Sequence, residues 1–235
     1  MSTPSSKRSR RSRGSIDAEM ILRGAFELAY RDGLDAMTMQ GLATQLNVGV
    51  TSIYWYVRSK DDLLQRMHES VGLGLHSRLC KYEDFGTSDW RRYLLEFFRQ
   101  LRREYADDDV LSELMLGRKV DAGDLVTRAS MQRQEGELGF LVDAGFTPLA
   151  AWELHSTLWL YTSQVASLER TRRSTGIPPE GVAQLSMLDQ STMPLLALLV
   201  TEHGVSLDGT GEAFIAGLNL ILDAAEMRHR TLARH

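Results

Sequence analysis

Apolar and polar positions repeat with a helical period along almost the whole chain, and no convincing strand interrupts them. The pattern predicts an all-α protein. From residue 15 to 31, Leu22, Phe26 and Ala29 fall at helical spacing with Ile16 and Met20 nearby. Ser15 serves as the expected N-cap, beside Asp17 and Glu19 in the first turn, where the helix dipole favours acids. Asp32-Gly33 ends this helix. Thr38 caps a second one, whose Met39, Leu42, Ala43 and Leu46 keep i, i+3, i+4, i+7 spacing. Asn47 stands where a left-handed residue commonly closes a helix. After a connector at 48–50, residues 51–57 form a third helix, and Ser59 caps a fourth with Asp61 and Asp62 near its positive end. Further helices are expected at 61–80, 88–106, 109–117, 122–143, 148–173, 182–202 and 209–230, with a surface loop at STGIPP, residues 174–179.

The third helix carries three successive rings in TSIYWYVR, residues 51–58. Neighbouring helical positions differ by about 100° around the axis, so Tyr54, Trp55 and Tyr56 cannot all face one core. Ile53 and Val57, one turn apart, form the inward pair. Thr51, Ser52 and Trp55 point most nearly outward, with Tyr54 and Tyr56 on the flanks; for Trp55 the alternative is packing against helix one. Two short helices joined by a tight turn, with one helix before and another after, make a helix-turn-helix. Such a unit presents the free side of its second helix to the major groove of DNA. Hydroxyls and ring edges there suit base edges, thymine methyls and phosphate oxygens.

Charge sharpens this picture when it is split along the chain. Residues 1–60 hold nine Lys/Arg against five acids, a net of +4, so the remainder carries −8 to reach the overall −4. A basic segment within an acidic protein can still bind a polyanion, because exposed charges are screened over about 10 Å. Residues 1–14 form a basic tail expected to be disordered. The 235 residues suffice for one large or two modest domains. The single Cys80 permits no internal disulfide and fits a reducing cytoplasm. The longest apolar run, Pro194 to Val200, is too short to span a membrane, and no apolar stretch follows the basic start as a signal peptide requires.

The stretch from Ile16 to Leu64, and within it TMQGLATQLNVGVTSIYWYVRSKDDLL, resembles the DNA-binding domain of TetR-family transcriptional regulators. Tyr54, Val57, Lys60 and Leu63 sit where that family's motif has Tyr, an apolar residue, Lys and Leu. The resemblance implies base-edge contacts from Gln40, Val50, Thr51 and Tyr54, and phosphate contacts from Thr38, Ser52, Tyr56 and Lys60. Three positions depart from the pattern. Asn47 replaces a frequent Gly, Gly49 removes a side-chain cap, and Tyr56 stands where His is common.

It also implies an organisation: a helix-turn-helix domain at 15–60 and a helical effector-binding and dimerisation domain at 61–235. The partners would be an operator in double-stranded DNA, a hydrophobic or aromatic small molecule, and a second copy in a homodimer, with no membrane. For the effector, the candidates are Trp152, His155 and Trp159 on one helix face, with Phe97, Met115, Met131, Gln134 and Gln164. For the dimer, Phe214, Leu218, Ile221 and Leu222 form a broad stripe, with Ala216 and Gly217 allowing close approach. The family habit is repression, relieved when effector binding shifts the spacing of the recognition helices through helix four. No enzyme, cofactor or metal is expected: Cys80 has no evident His partner, and the six histidines lack paired ligand spacing. A helical ligand-binding or scaffold protein without DNA binding is the alternative.

Overall fold

The computed structural model describes residues 16–117, 125–175, 189, 191–203 and 211–232, and among these no strand occurs. Ten helices are described: α1 Ala18–Asp32, α2 Met39–Leu46, α3 Val50–Tyr54, α4 Lys60–Arg78, α5 Trp90–Asp107, α6 Asp109–Leu116, α7 Leu125–Asp143, α8 Pro148–Thr175, α9 Pro194–His203 and α10 Glu212–Leu232. Two short 3-10 turns, at Tyr82–Asp84 and Thr87–Asp89, lead into α5. The expected basic tail, Ser15, most of the 174–179 loop and the first part of the expected 182–202 helix lie outside the described residues.

The caps follow the local chemistry. Asp17 rather than Ser15 caps α1, its carboxylate accepting from the Met20 amide at 2.7 Å. Thr38 Oγ1 accepts from the Gly41 amide at 3.0 Å, and Ser59 Oγ from the Asp62 amide at 3.1 Å. Asn47 closes α2 in the left-handed region with φ 55°, which a short polar side chain tolerates. Gly49 precedes α3 with no side-chain cap. This helix is shorter than expected: it ends at Tyr54, and Trp55 and Tyr56 continue as a turn whose Tyr56 and Val57 amides both donate to the Ile53 carbonyl. On α1 the buried face is Ile21, Ala25, Leu28 and Ala29, rotated from the expected Leu22 and Phe26, which are half-buried.

Two cores result. The first gathers Ile21, Leu28, Leu34, Met37, Leu42, Ile53, Val57, Leu63 and Met67. The second gathers Leu75, Tyr93, Phe98, Leu101, Leu141, Leu158, Phe214 and Leu218 from α4, α5, α7, α8 and α10. Each such side chain contributes roughly 1.5–3 kcal/mol by leaving water. The division between cores falls inside α4, between Met67 and Leu75, and not at residue 60. The short α6 also serves both: Val110 and Leu114 pack in the first core, Leu111 in the second. At its N-terminal end the Tyr30 hydroxyl of α1 donates to the Asp108 carboxylate at 2.7 Å. Thus α4 and α6 tie the N-terminal unit to the larger one.

Candidate nucleic-acid interface and ligand cavity

Ile53 is fully buried and Val57 nearly so, which fixes how α3 is rolled against α1 and α2. The opposite side is therefore solvent-facing: Thr51 is exposed, Tyr54 is 48% exposed and Trp55 84%. Trp55 does not pack on α1. Thr38 and Gln40, at the start of α2, are exposed near this side, while Val50 and Ser52 are half-buried. Two of the expected phosphate contacts already have protein partners. Tyr56 donates its hydroxyl to the Ile16 carbonyl at 2.7 Å, and Lys60 Nζ donates to the Asp35 carbonyl at 2.8 Å. Both side chains brace the unit; the Lys60 ammonium keeps further N–H donors for another acceptor, whereas the Tyr56 hydroxyl has given its one proton to Ile16.

In the larger unit a cavity of about 500 Å³ opens between α4, α5, α6, α7 and α8. Phe97, Met115, Gln134, Trp152, His155 and Trp159 all line it. Met131 and Gln164 do not: both are exposed, Met131 at 63%. The face of α7 turned to the cavity is Ser130, Arg133, Gln134 and Glu137, spaced i, i+3, i+4, i+7, and Met131 lies about 100° off the first of these. Gln164 is five residues beyond Trp159, about 140° round the α8 axis.

Sequence reasoning named His155 and Gln134 but missed the buried carboxylate they surround and its partners Tyr93 and Arg133. Glu137 is 2% exposed and receives three hydrogen bonds or contacts: the Tyr93 hydroxyl to Oε1 at 2.7 Å, Arg133 Nε to Oε1 at 2.8 Å, and His155 Nε2 to Oε2 at 2.8 Å. Gln134 Nε2 lies 3.2 Å from the other ring nitrogen of His155. Arg133 also donates to the carbonyls of His76 and Cys80 and lies over the Phe97 ring at 4.8 Å. The i, i+4 spacing of Arg133 and Glu137 was the available signal, but on a surface helix the same spacing marks a solvated pair.

Burial alone would raise the Glu137 pKa, but the contact with His155, the hydrogen bond from Tyr93 and the charge of Arg133 outweigh it and hold the carboxyl below its ordinary range. Burial, helped by the charge of Arg133, likewise lowers His76 below its ordinary value. A depressed folded-state pKa means the unfolded chain binds the proton first, so both groups stabilise the fold only above their unfolded values. Stability should therefore decline as pH falls from about 6.5, through His76, and again below about 4.5, through Glu137. Unfolding midpoints measured against pH should lose the upper step in His76→Asn.

The expected dimer stripe is corrected by the packing. Phe214, Leu218 and Leu222 are fully buried within one protomer, so they have no surface to offer a second copy. Phe214 stacks on Tyr161 at 5.4 Å and lies beneath the Arg102 guanidinium. Ile221 is half-buried and lines a smaller cavity of about 250 Å³ between α8 and α10. Gly217 admits Tyr161 of the same chain: a Cβ there would lie 2.2 Å from the Tyr161 hydroxyl oxygen. The outer side of α10 is instead Ala216, Leu220, Ala224 and Met227, with Leu220 and Met227 each 71% exposed. Leu149, Leu160 and Leu168 are similarly exposed on α8.

Among the described residues no cluster of His, Cys, Asp and Glu could hold a metal ion, and no helix is long and apolar enough to cross a membrane.

Comparison with known proteins places these features. Residues 21–67 match the family model described as bacterial regulatory proteins, tetR family, and residues 84–228 match that of the tetracyclin repressor-like C-terminal domain. The chain is 37% identical over 229 residues to an HTH-type transcriptional repressor of Mycobacterium tuberculosis, covering 96% of this chain and 86% of that one. It is 28% identical over 222 residues to the class C tetracycline repressor protein of Escherichia coli, covering 92% and 93%. In fold it is similar to the TetR family protein ActR of Streptomyces coelicolor in complex with actinorhodin, with a TM-score of 0.69 and 20% identity over 92% of this chain and 99% of that one.

Proposed function

From the premise that this chain belongs to the TetR family of bacterial regulatory proteins, as a DNA-binding transcriptional repressor, we propose a residue-level account of how it reads DNA and is released. A helical scaffold without DNA binding is set aside by that membership. One observation carries the account: α3 is anchored by the buried Ile53 and Val57 while Thr51, Tyr54 and Trp55 face solvent. Gln40, Val50, Thr51 and Tyr54 reach base edges; Thr38, Ser52 and Lys60 reach phosphates, and Tyr56 joins them only by releasing the Ile16 carbonyl. Trp55, absent from the sequence-based set, joins them by packing its ring on sugars or a thymine methyl.

One module makes few base contacts, so the repressor acts as a homodimer on a palindrome with half-sites in successive major grooves. The apolar outer faces of α8 and α10, including Leu160, Leu220, Ala224 and Met227, form the interface. The effector, a hydrophobic or aromatic molecule, occupies the 500 Å³ cavity. Its binding favours one arrangement of α4 and α6, the two helices shared by both cores, and so changes the separation of the α3 helices. The chain works in the cytoplasm and carries out no catalytic step.

Selection of bound fragments from genomic DNA by the full chain tests this. A recurrent inverted repeat, bound less tightly as salt rises, is the expected result. Absence of enrichment at low salt would refute the account.

A further inference from the structure

We propose that the molecule received by the 500 Å³ cavity is uncharged, a flat aromatic compound carrying neutral hydrogen-bonding groups, because the ionisable groups at the centre of the cavity wall, Arg133, Glu137 and His155, are already bound to partners within that wall. The inference rests on reading that cavity as the effector site. Arg133 and Glu137, one turn apart on α7, are the lining residues that carry a permanent charge. Arg133 gives Nε to Glu137 at 2.8 Å and its terminal nitrogens to the His76 and Cys80 carbonyls, with its face against Phe97. Both oxygens of Glu137 are taken, by Tyr93 and Arg133 on one and by His155 on the other. A bound anion would have to share the one Arg133 guanidinium with Glu137, and a bound cation would have to draw Glu137 from three partners. Either leaves a buried charge uncompensated.

What the cavity does offer is neutral. Beside the Arg133–Glu137 pair, the polar side chains on its α7 wall are the half-buried Ser130 and Gln134, a hydroxyl and an amide. A carbonyl, phenol or amide can hydrogen-bond to such groups without bringing a charge into the cavity. Trp152 and Trp159 at the opening supply faces for a planar ring. Neither histidine on the wall offers a free N–H to an anion by geometry: His155 is held through both ring nitrogens, by Glu137 at 2.8 Å and Gln134 at 3.2 Å, and His76 Nε2 lies 2.9 Å from Ser130 Oγ.

The test compares two probes that share one aromatic scaffold, uncharged N-phenyl-1-naphthylamine and anionic 8-anilino-1-naphthalenesulfonate, on the full chain. Binding at the cavity is the part of the fluorescence signal abolished by Ser156→Trp, which fills the space. The amine should bind there at least about tenfold more tightly than the sulfonate, about 1.4 kcal/mol. Glu137→Gln, which strips Arg133 of its counter-charge, should tighten the sulfonate by about tenfold and leave the amine within roughly threefold. A sulfonate that binds the cavity of the unaltered chain as tightly as the amine overturns the inference while leaving the effector site standing. A sulfonate affinity indifferent to Glu137→Gln overturns it too, since the preference would then reflect hydrophobicity and not charge. If Ser156→Trp removes neither signal, the cavity is not the ligand site, and both readings fall. The comparison in the unaltered chain stands even if Glu137→Gln folds poorly.

Discussion

Glu137→Ala should lower stability by about 3–5 kcal/mol, the usual cost of removing one partner of a buried ion pair. The side chain is 2% exposed, and its loss would leave the Arg133 guanidinium, 15% exposed, without a counter-charge. The Tyr93 hydroxyl, fully buried, would lose its acceptor in the same step, and a buried unsatisfied group alone costs about 1–3 kcal/mol. For a chain of this length each kcal/mol moves the unfolding midpoint by about 2–4 °C, so a fall of roughly 6–20 °C is expected. Thermal unfolding followed by circular dichroism measures it. The pair Arg133→Met with Glu137→Leu should cost much less than Glu137→Ala alone, because no uncompensated charge remains. A single variant within 1 kcal/mol of the parent would show that water reaches Arg133 and that the network is not a buried one.

Tyr54→Ala should weaken binding to the selected operator by about 10- to 100-fold, the range of a good base-edge contact, about 1–3 kcal/mol. The ring is 48% exposed and sits one turn from Thr51 on the free side of α3. A surface substitution of this kind changes stability by about 0.5 kcal/mol or less, so the unfolding midpoint should hardly move. The contrast is Tyr56→Phe, which removes the hydrogen bond to the Ile16 carbonyl and should cost about 0.5–1.5 kcal/mol of stability. Fluorescence anisotropy with a labelled operator duplex, beside thermal unfolding of each variant, separates the two roles. Unfolding of Tyr54→Ala, or full-strength binding by it, would mean that the ring serves the protein's own packing.

The helix-turn-helix was legible because its signals are local. Thr38 and Ser59 as caps, Asn47 in the left-handed region, and Ile53 with Val57 turned inward all depend on residues within a few positions of one another. The cavity between α4 and α8 was legible in part. Trp152, His155 and Trp159 share a helix face that sequence spacing defines, and the cavity receives all three. Met131 was misplaced because an apolar residue on α7 reveals nothing about the rotation of that helix against its neighbours. The dimer stripe failed for the same reason. Phe214, Leu218 and Leu222 are the most hydrophobic face of α10, and α5 and α8 of the same chain bury it first, leaving Leu220 and Met227 outside.

The sequence by itself determined the helical character, the caps of α2 and α4, the turn between α2 and α3 and the family, since each is written in spacings of three to seven residues. Only the tertiary structure decided which face of each long helix is consumed within the protomer. It alone brought Tyr93, Arg133, Glu137 and His155 together from α5, α7 and α8. A helical period fixes which residues share a face; burial of that face depends on partners dozens of residues away, whose approach no local pattern encodes.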